Sequence, residues 1–478
     1  MGKPASERFD TLLWIDLLSV RGFVVLLGVA LILCWPMLVV EPPIAFFDTD
    51  AYHNRGFQIF AFIGEMLPFA GDAASNGAAS SGAAGASSAL AEGGARSLRS
   101  VPYSVFTFAT QSTPLRYVGT AVTQTVLVLM MLGGAIGRLP VLLPKGAVPL
   151  FLACVFLTSL PWFASFIMPD MLAAAIILYA VVLVNRFDEL TWTQRMVLAL
   201  IAAGAIMCHY GHILLAVGAF GSALGLRLLQ WRLGAGVLAF GVAPLVLAVV
   251  ANALFSMVAF QSTSVAPKRL PILLARSMED GPARWHLQEH CATYNYALCD
   301  ILGEIPETVS GLLFEDSGLR KATAAQMDQV RAEEPVILLR ALQEYPVEQI
   351  GSLLYNSFDQ FVSFGLEDFG QVRLDRLDNG RVQFAFTRDR DRTIFVVFNV
   401  IHVTVLVLTL AVIAMMFYRR QFRPEDRAVS VYLVILATLV ANAMIYGGLS
   451  EPADRYQTRL VWVVPVLTAV FWLRRRTV

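Results

Sequence analysis

Apolar residues in this chain gather into runs of membrane length, parted by short polar turns. Since about 20 apolar residues span a bilayer core as a helix, ten spans are expected, near 22–40, 117–137, 146–164, 170–185, 195–208, 211–226, 233–259, 393–417, 428–447 and 459–473. The fifth and sixth are short, and one longer helix broken near His209-Tyr210-Gly211 is the alternative. Two long segments interrupt the pattern. The first, 41–116, opens on "FFDTDAYHNRG" and contains a Gly/Ala/Ser tract at 71–97, expected to be a flexible insertion because it has too little apolar surface to order itself. The second, 260–392, carries apolar residues at spacings of three and four in "EEPVILLRALQEYPVEQIGSLLYNSF", which predicts helices. The expected fold is an all-α polytopic membrane protein of about 10 transmembrane helices, with a helical loop domain between the seventh and eighth. Its parts are 1–21, the first helix at 22–40, the loop 41–116, helices two to seven in 117–259, the loop domain 260–392 and the last three helices in 393–478.

Composition agrees with the class. Charged residues are 15% of the chain and apolar residues 57%, where soluble domains carry about 25% charged. Mean hydropathy is +0.63. Lys and Arg resist translocation, and their placement in alternate turns (Arg138 and Lys145; Arg186 and Arg195; Arg227 and Arg232; Arg419, Arg420, Arg423 and Arg427; Arg474, Arg475 and Arg476) puts both termini in the cytoplasm. Both long loops then face outward, which for a bacterial inner membrane is the periplasm. The zero net charge is partitioned by side, with 20 acids against 14 bases, a net of −6, in 260–392. No nucleic-acid partner is expected. Residues 1–21 lack a cleavable-signal pattern and suggest an amphipathic helix on the inner surface. Cys34, Cys154 and Cys208 fall in apolar runs and read as packing residues. Cys291 and Cys299, eight apart in the second loop, are expected to form a disulfide in an oxidising compartment. A zinc site there would need two more ligands, and His286 and His290 are the ones nearby.

The chemistry-bearing residues converge on the outward face of this topology. In extended chain, Asp48, Asp50 and Tyr52 share one side. Two carboxylates so placed ask for a cation, a proton or a basic group. The competing reading is a solvated loop whose Asp caps the following helix. Asp170 opens the fourth span after Met168-Pro169 and serves either as a cap or as a second site acid. His209 and His212, one helical turn apart, could clamp a metal or a pyrophosphate, though a satisfied buried pair is the commoner case. Arg455 and Arg459, beside Tyr456 at the entry to the last span, run against the positive-inside bias. They suggest a bound anion, with pairing to Asp454 or Glu451 as the alternative. His53 and Arg55 complete the candidate binding residues.

An acidic motif after the first span, a later outer acid and an "RY…R" entry to a late helix resemble the GT-C glycosyltransferases, which include protein O-mannosyltransferases and aminoarabinose transferases. "SVPYSVFTFATQ" at 101–112 also looks like a stretch many of them carry. The resemblance implies a GT-C-like fold and sugar transfer from a polyprenyl-phosphate-linked donor to a glycan, lipid or protein acceptor at the membrane. It implies a general base at Asp48 or Asp50, with Asp50 favoured because Tyr52 follows at two. A divalent cation, Mg or Mn, held by Asp48, Asp50 and His53 is left open beside an arginine doing the same work. The chain lacks a "WWD" motif, which sets it apart from oligosaccharyltransferases. A transporter or lipid flippase is the competing function, and would want charged or broken helices at mid-membrane.

Overall fold

The computed structural model describes residues 14–16, 19–40, 43–66, 99–111, 116–140, 147–260, 262–266, 268–369, 372–377, 381–386, 393–419, 421 and 426–476. The flexible insertion expected at 71–97 lies outside them, as does most of the expected amphipathic helix. Of that segment Trp14–Asp16 is described as strand β1, paired antiparallel with β2, Arg138–Pro140, and residues 19–21 as the cap and first turn of the first long helix.

The protein is an integral, multi-pass and mostly α-helical membrane protein. Six helices among the described residues are long and apolar enough to cross a bilayer: Val20–Val39, Arg116–Ile136, Tyr210–Leu229, Ala235–Met257, Thr393–Tyr418 and Arg427–Gly448. This corrects the expectation of about ten. Two of the four missing spans are broken by proline, which lacks an N–H and clashes with the carbonyl four residues before it. The run at 146–164 stops at Phe156 and restarts as Leu160–Ser165, where Pro161 opposes the Leu157 carbonyl. The run at 459–473 divides into Asp454–Val461 and Val463–Arg476, where Pro465 opposes Val461. Proline alone does not decide this, since Ala235–Phe260 continues through Pro244.

The other two missing spans are helices of 16 residues, Asp170–Asn185 and Trp192–Met207. At 1.5 Å per residue each reaches about 24 Å, short of a bilayer core of about 30 Å. All of Asp170–Asn185 is buried in protein. Its continuous apolar run therefore marks the centre of the bundle and not a lipid-facing helix. Trp192–Met207 and Tyr210–Leu229 are separate helices, parted at Cys208 and His209.

The helices that position the site are α1 Val20–Leu33, α2 Pro36–Val39, α3 Thr49–Met66, α4 Val101–Gln111, α5 Arg116–Ile136, α6 Ala147–Phe156, α7 Leu160–Ser165, α8 Asp170–Asn185, α9 Trp192–Met207, α10 Tyr210–Leu229 and α11 Ala235–Phe260. A second apolar core, including Leu274, Leu287, Leu312, Val330 and Ile337, is built by α12 Ile272–Asp280, α13 Pro282–Tyr294, α14 Ala297–Ile301, α15 Val309–Leu313 and α16 Ala324–Glu344. Then follow α17 Pro346–Val362, strands β3 Val372–Arg376 and β4 Val382–Phe386, and helices α18 Thr393–Tyr418, α19 Arg427–Ala443, α20 Asp454–Val461 and α21 Val463–Arg476.

The segment 260–392 contains helices, as expected, and a pair of strands that its periodicity did not predict. It ends in an antiparallel hairpin, β3 with β4, and both parts are stitched to the bundle. The side chain of Asn54 on α3 donates to the Val382 carbonyl at 2.7 Å and accepts from the Val382 amide at 2.9 Å. Gln360 on α17 makes the matching pair with Ala453, donating to its carbonyl at 2.9 Å and accepting from its amide at 2.8 Å. An amide side chain that answers both backbone groups of one residue fixes position and direction together.

Candidate functional site

The opening motif is held between remote parts of the chain. Ile44 bridges to Phe166 and Ala45 to Val372, so the two residues before Phe46 are stitched into backbone from both sides. Thr49 then turns the chain into α3. Its hydroxyl accepts from the Phe46 amide at 2.9 Å and donates to the Ile167 carbonyl at 3.2 Å. Because the helix begins at Thr49, Asp50 and Tyr52 are about 200° apart around it and do not share a face, unlike the extended reading. Tyr52 is buried edge-on against Tyr103, with ring centroids 4.9 Å apart. His53 is buried against Phe108. Arg55 is buried, and desolvation depresses its pKa.

The two acids of the motif have different surroundings. Asp48 pairs with Arg99, the residue before Ser100, whose hydroxyl anchors the start of α4 by donating to the Met207 carbonyl at 2.7 Å. Asp50 faces the hairpin, where its Oδ2 accepts from the Phe384 amide at 3.5 Å. Burial pushes the Asp50 carboxyl above its ordinary pKa, the Ala51 and Phe384 amides oppose the shift, and neighbouring Asp48 adds to it.

Arg455 closes the site from the far end of the sequence. Its guanidinium lies over the Phe46 ring, 3.6 Å from the centroid, and donates from Nη2 to the Tyr456 hydroxyl at 3.0 Å. Its backbone amide donates to Asp368 at 3.4 Å. The residue is 8% exposed, and its Nε and Nη1 have no hydrogen-bond partner among the described residues. Arg99 lies within electrostatic range of Arg455, Tyr52 and Tyr456 as well as Asp48. Arg99 is thus the link between the two ends of the chain: it pairs with Asp48, acts electrostatically on Asp50 and lies within range of Arg455, whose own neighbouring acids are Asp170 and Asp368.

Asp170 and Arg459 are brought together as a buried pair. Arg459 Nη1 donates to Asp170 Oδ1 at 2.9 Å and Nη2 donates to Asn442 Oδ1 at 3.1 Å, with the guanidinium 4.2 Å from the Tyr446 ring centroid. Arg459 therefore pairs with neither Asp454 nor Glu451, the partners its sequence neighbourhood suggested. His209 caps α10, its Nδ1 accepting from the Gly211 amide at 3.1 Å. His212 Nδ1 lies 2.8 Å from the Ala205 carbonyl, an acceptor only, so that nitrogen carries the proton. Each ring thus spends its Nδ1 on a helix end, and Nε2 of His212 is buried with no hydrogen-bond partner among the described residues.

A metal on Asp48, Asp50 and His53 is not favoured, because Asp48 is paired with Arg99 and His53 packs on Phe108. The His, Cys, Asp and Glu ligand atoms that do converge among the described residues belong to His286, His290 and Glu344. Cys291 and Cys299 form the expected disulfide, with Cα atoms 5.9 Å apart. Sequence reasoning missed Arg99, Asn54, Asn442 and Tyr446. Arg99 lies two residues beyond a low-complexity tract and the others are ordinary polar residues on helices, so their roles exist only in three dimensions.

No family model matches this sequence, and comparison with curated proteins and with solved structures gives no match. With six candidate spans and no structural match, the GT-C-like architecture expected from the short motifs is set aside.

Proposed function

We propose that the chain is an integral membrane glycosyltransferase that moves a sugar from a polyprenyl-phosphate-linked donor to a glycan, lipid or protein acceptor. The observation that carries the reading is Arg455, a buried guanidinium stacked on Phe46 with Nε and Nη1 unpartnered among the described residues, within electrostatic range of a second cation, Arg99, and of Asp170 and Asp368. A guanidinium edge of this kind suits a phosphate oxygen, which accepts two N–H groups side by side. Asp50 is the base in this reading, since Asp48 is engaged by Arg99. Asp50 takes the acceptor's O–H proton, the acceptor oxygen bonds to the anomeric carbon, and the bond from that carbon to the phosphate oxygen breaks. Arg455 then holds the charge left on the phosphate. Asp170 positions this apparatus through Arg459, four residues on from Arg455 along α20.

The test uses purified full-length protein, polyprenyl-phosphate sugars extracted from the native membrane, and mass spectrometry of the products. Asp50→Asn keeps the shape but removes the base, and single-turnover transfer should fall by roughly 10²–10⁴-fold with donor binding little changed. Arg455→Ala should instead weaken donor binding by about 1.5–3 kcal/mol. Donor that crosses the bilayer uncleaved in the wild type, or wild-type transfer by Asp50→Asn, would sink the proposal and favour a transporter or flippase.

A further inference from the structure

The second apolar core contains a convergence of ligand atoms that the glycosyltransferase reading does not use. His286 and His290 are four apart on α13, so their rings leave the helix on one side, 4.9 Å apart between centroids. Glu344, the last residue of α16, closes over both. Its Oε2 lies 2.7 Å from His286 Nδ1 and its Oε1 3.4 Å from His290 Nε2. One ligand atom from each of the three residues falls within 4.8 Å of the other two.

We propose that His286, His290 and Glu344 bind a zinc ion, with water as the fourth ligand. Two imidazoles and one carboxylate form a donor set that zinc takes, whereas magnesium and calcium prefer oxygen alone. Four-coordinate zinc with bonds of about 2.0–2.2 Å sets neighbouring ligand atoms about 3.3 Å apart. The His290 contact runs to Oε1 at 3.4 Å and the His286 contact to Oε2 at 2.7 Å, so a small turn of the carboxylate presents one oxygen to both rings, and one ligand atom from each residue already lies within 4.8 Å of the other two.

The outer hydrogen bonds favour it too. His286 is fully buried and its Nε2 lies 3.1 Å from the Tyr296 hydroxyl. That hydroxyl oxygen accepts from Arg340 Nη1 at 2.6 Å. Without metal, Nδ1 of His286 carries the proton that faces the carboxylate. Zinc takes the place of that proton, and Nε2–H then donates to Tyr296, the support a ligating imidazole needs. His290 and Glu344 side chains are 31% and 34% exposed, which leaves a path for the ion and a place for the water.

The experiment is a zinc titration of the full chain in detergent, purified without a polyhistidine tag and stripped with a chelator. One zinc per chain is expected, with a higher melting temperature on binding. His290→Gln and Glu344→Gln should each weaken zinc affinity about tenfold or more while melting like the zinc-free wild type. If His290→Gln disturbs the fold, Glu344→Gln decides, because its amide keeps the size and the hydrogen bond. Absence of stoichiometric zinc in the wild type, or unchanged affinity in Glu344→Gln, would overturn the site.

Discussion

Asp170 and Arg459 are 5% and 1% exposed as side chains, and they hold α8 to α20. Removing one partner of a buried pair strands the other charge, at a cost of about 3–5 kcal/mol. Asp170→Asn should lower stability by that amount, read from thermal unfolding in detergent, and Asp170→Asn with Arg459→Gln should recover a good part. A destabilisation below about 1 kcal/mol, the scale of a surface pair, would show that Arg459 finds another counter-charge. Asp50 supports a different prediction. Its ionised form is the base, and burial raises its pKa, so protonation removes the base at a higher pH than for a free carboxyl of about 3.9. The acid limb of the pH–rate profile should therefore lie above the ordinary carboxylate range; a limb at or below that range would exclude Asp50 as the titrating group. Both acids and both C-terminal arginines stood out in the sequence because charge is rare there. Their pairing did not, since 289 residues separate Asp170 from Arg459, and nearer acids offered themselves first.

Elements were legible where periodicity was long and unbroken, as in 233–259 and 393–417. They were misread where a proline interrupted an apolar run, because counting apolar residues does not register a lost N–H, and where a helix was apolar all round for being buried and not for facing lipid. The start of α3 was misread for a third reason, since alternation was sought across a Thr that begins a helix. The packing of α3 on α4 then turns on Gly56, where a Cβ would stand 2.2 Å from the Ser104 carbonyl and 2.5 Å from the Phe108 Cβ. No rotamer relieves a clash with backbone. Gly56→Ala should therefore part the two helices and cost about 1–3 kcal/mol, the range for overpacking. It should also loosen the Asp48–Arg99 contact, whose partners flank this crossing. Unfolding measurements would check the first effect, and a wild-type melting temperature would contradict the close crossing.

At the scale of the whole molecule, α17 ties the second core to the bundle, its Asn356 donating to Asp280 on α12 at 3.1 Å and its Gln360 pairing with Ala453, and the contents of the two cores differ. The membrane core keeps its free thiols, Cys34, Cys154 and Cys208, buried, while the second holds the disulfide. In membranes prepared without reductant, Cys291 and Cys299 should resist maleimide until a reductant is added; labelling of both beforehand would mean that this segment resides in a reducing compartment. The bridge between Asp170 and Arg459 also bears on biosynthesis. Asp170 enters its apolar surroundings during translation well before Arg459 has been made, so until the last turns of the chain emerge an uncompensated carboxylate sits at the head of the most enclosed helix. A product that stops short of residue 459 keeps all six long apolar helices yet cannot neutralise that charge. Membrane proteases that inspect exposed polar groups would thus find in Asp170 a built-in signal of incompleteness, one that the finished chain erases with a single side chain.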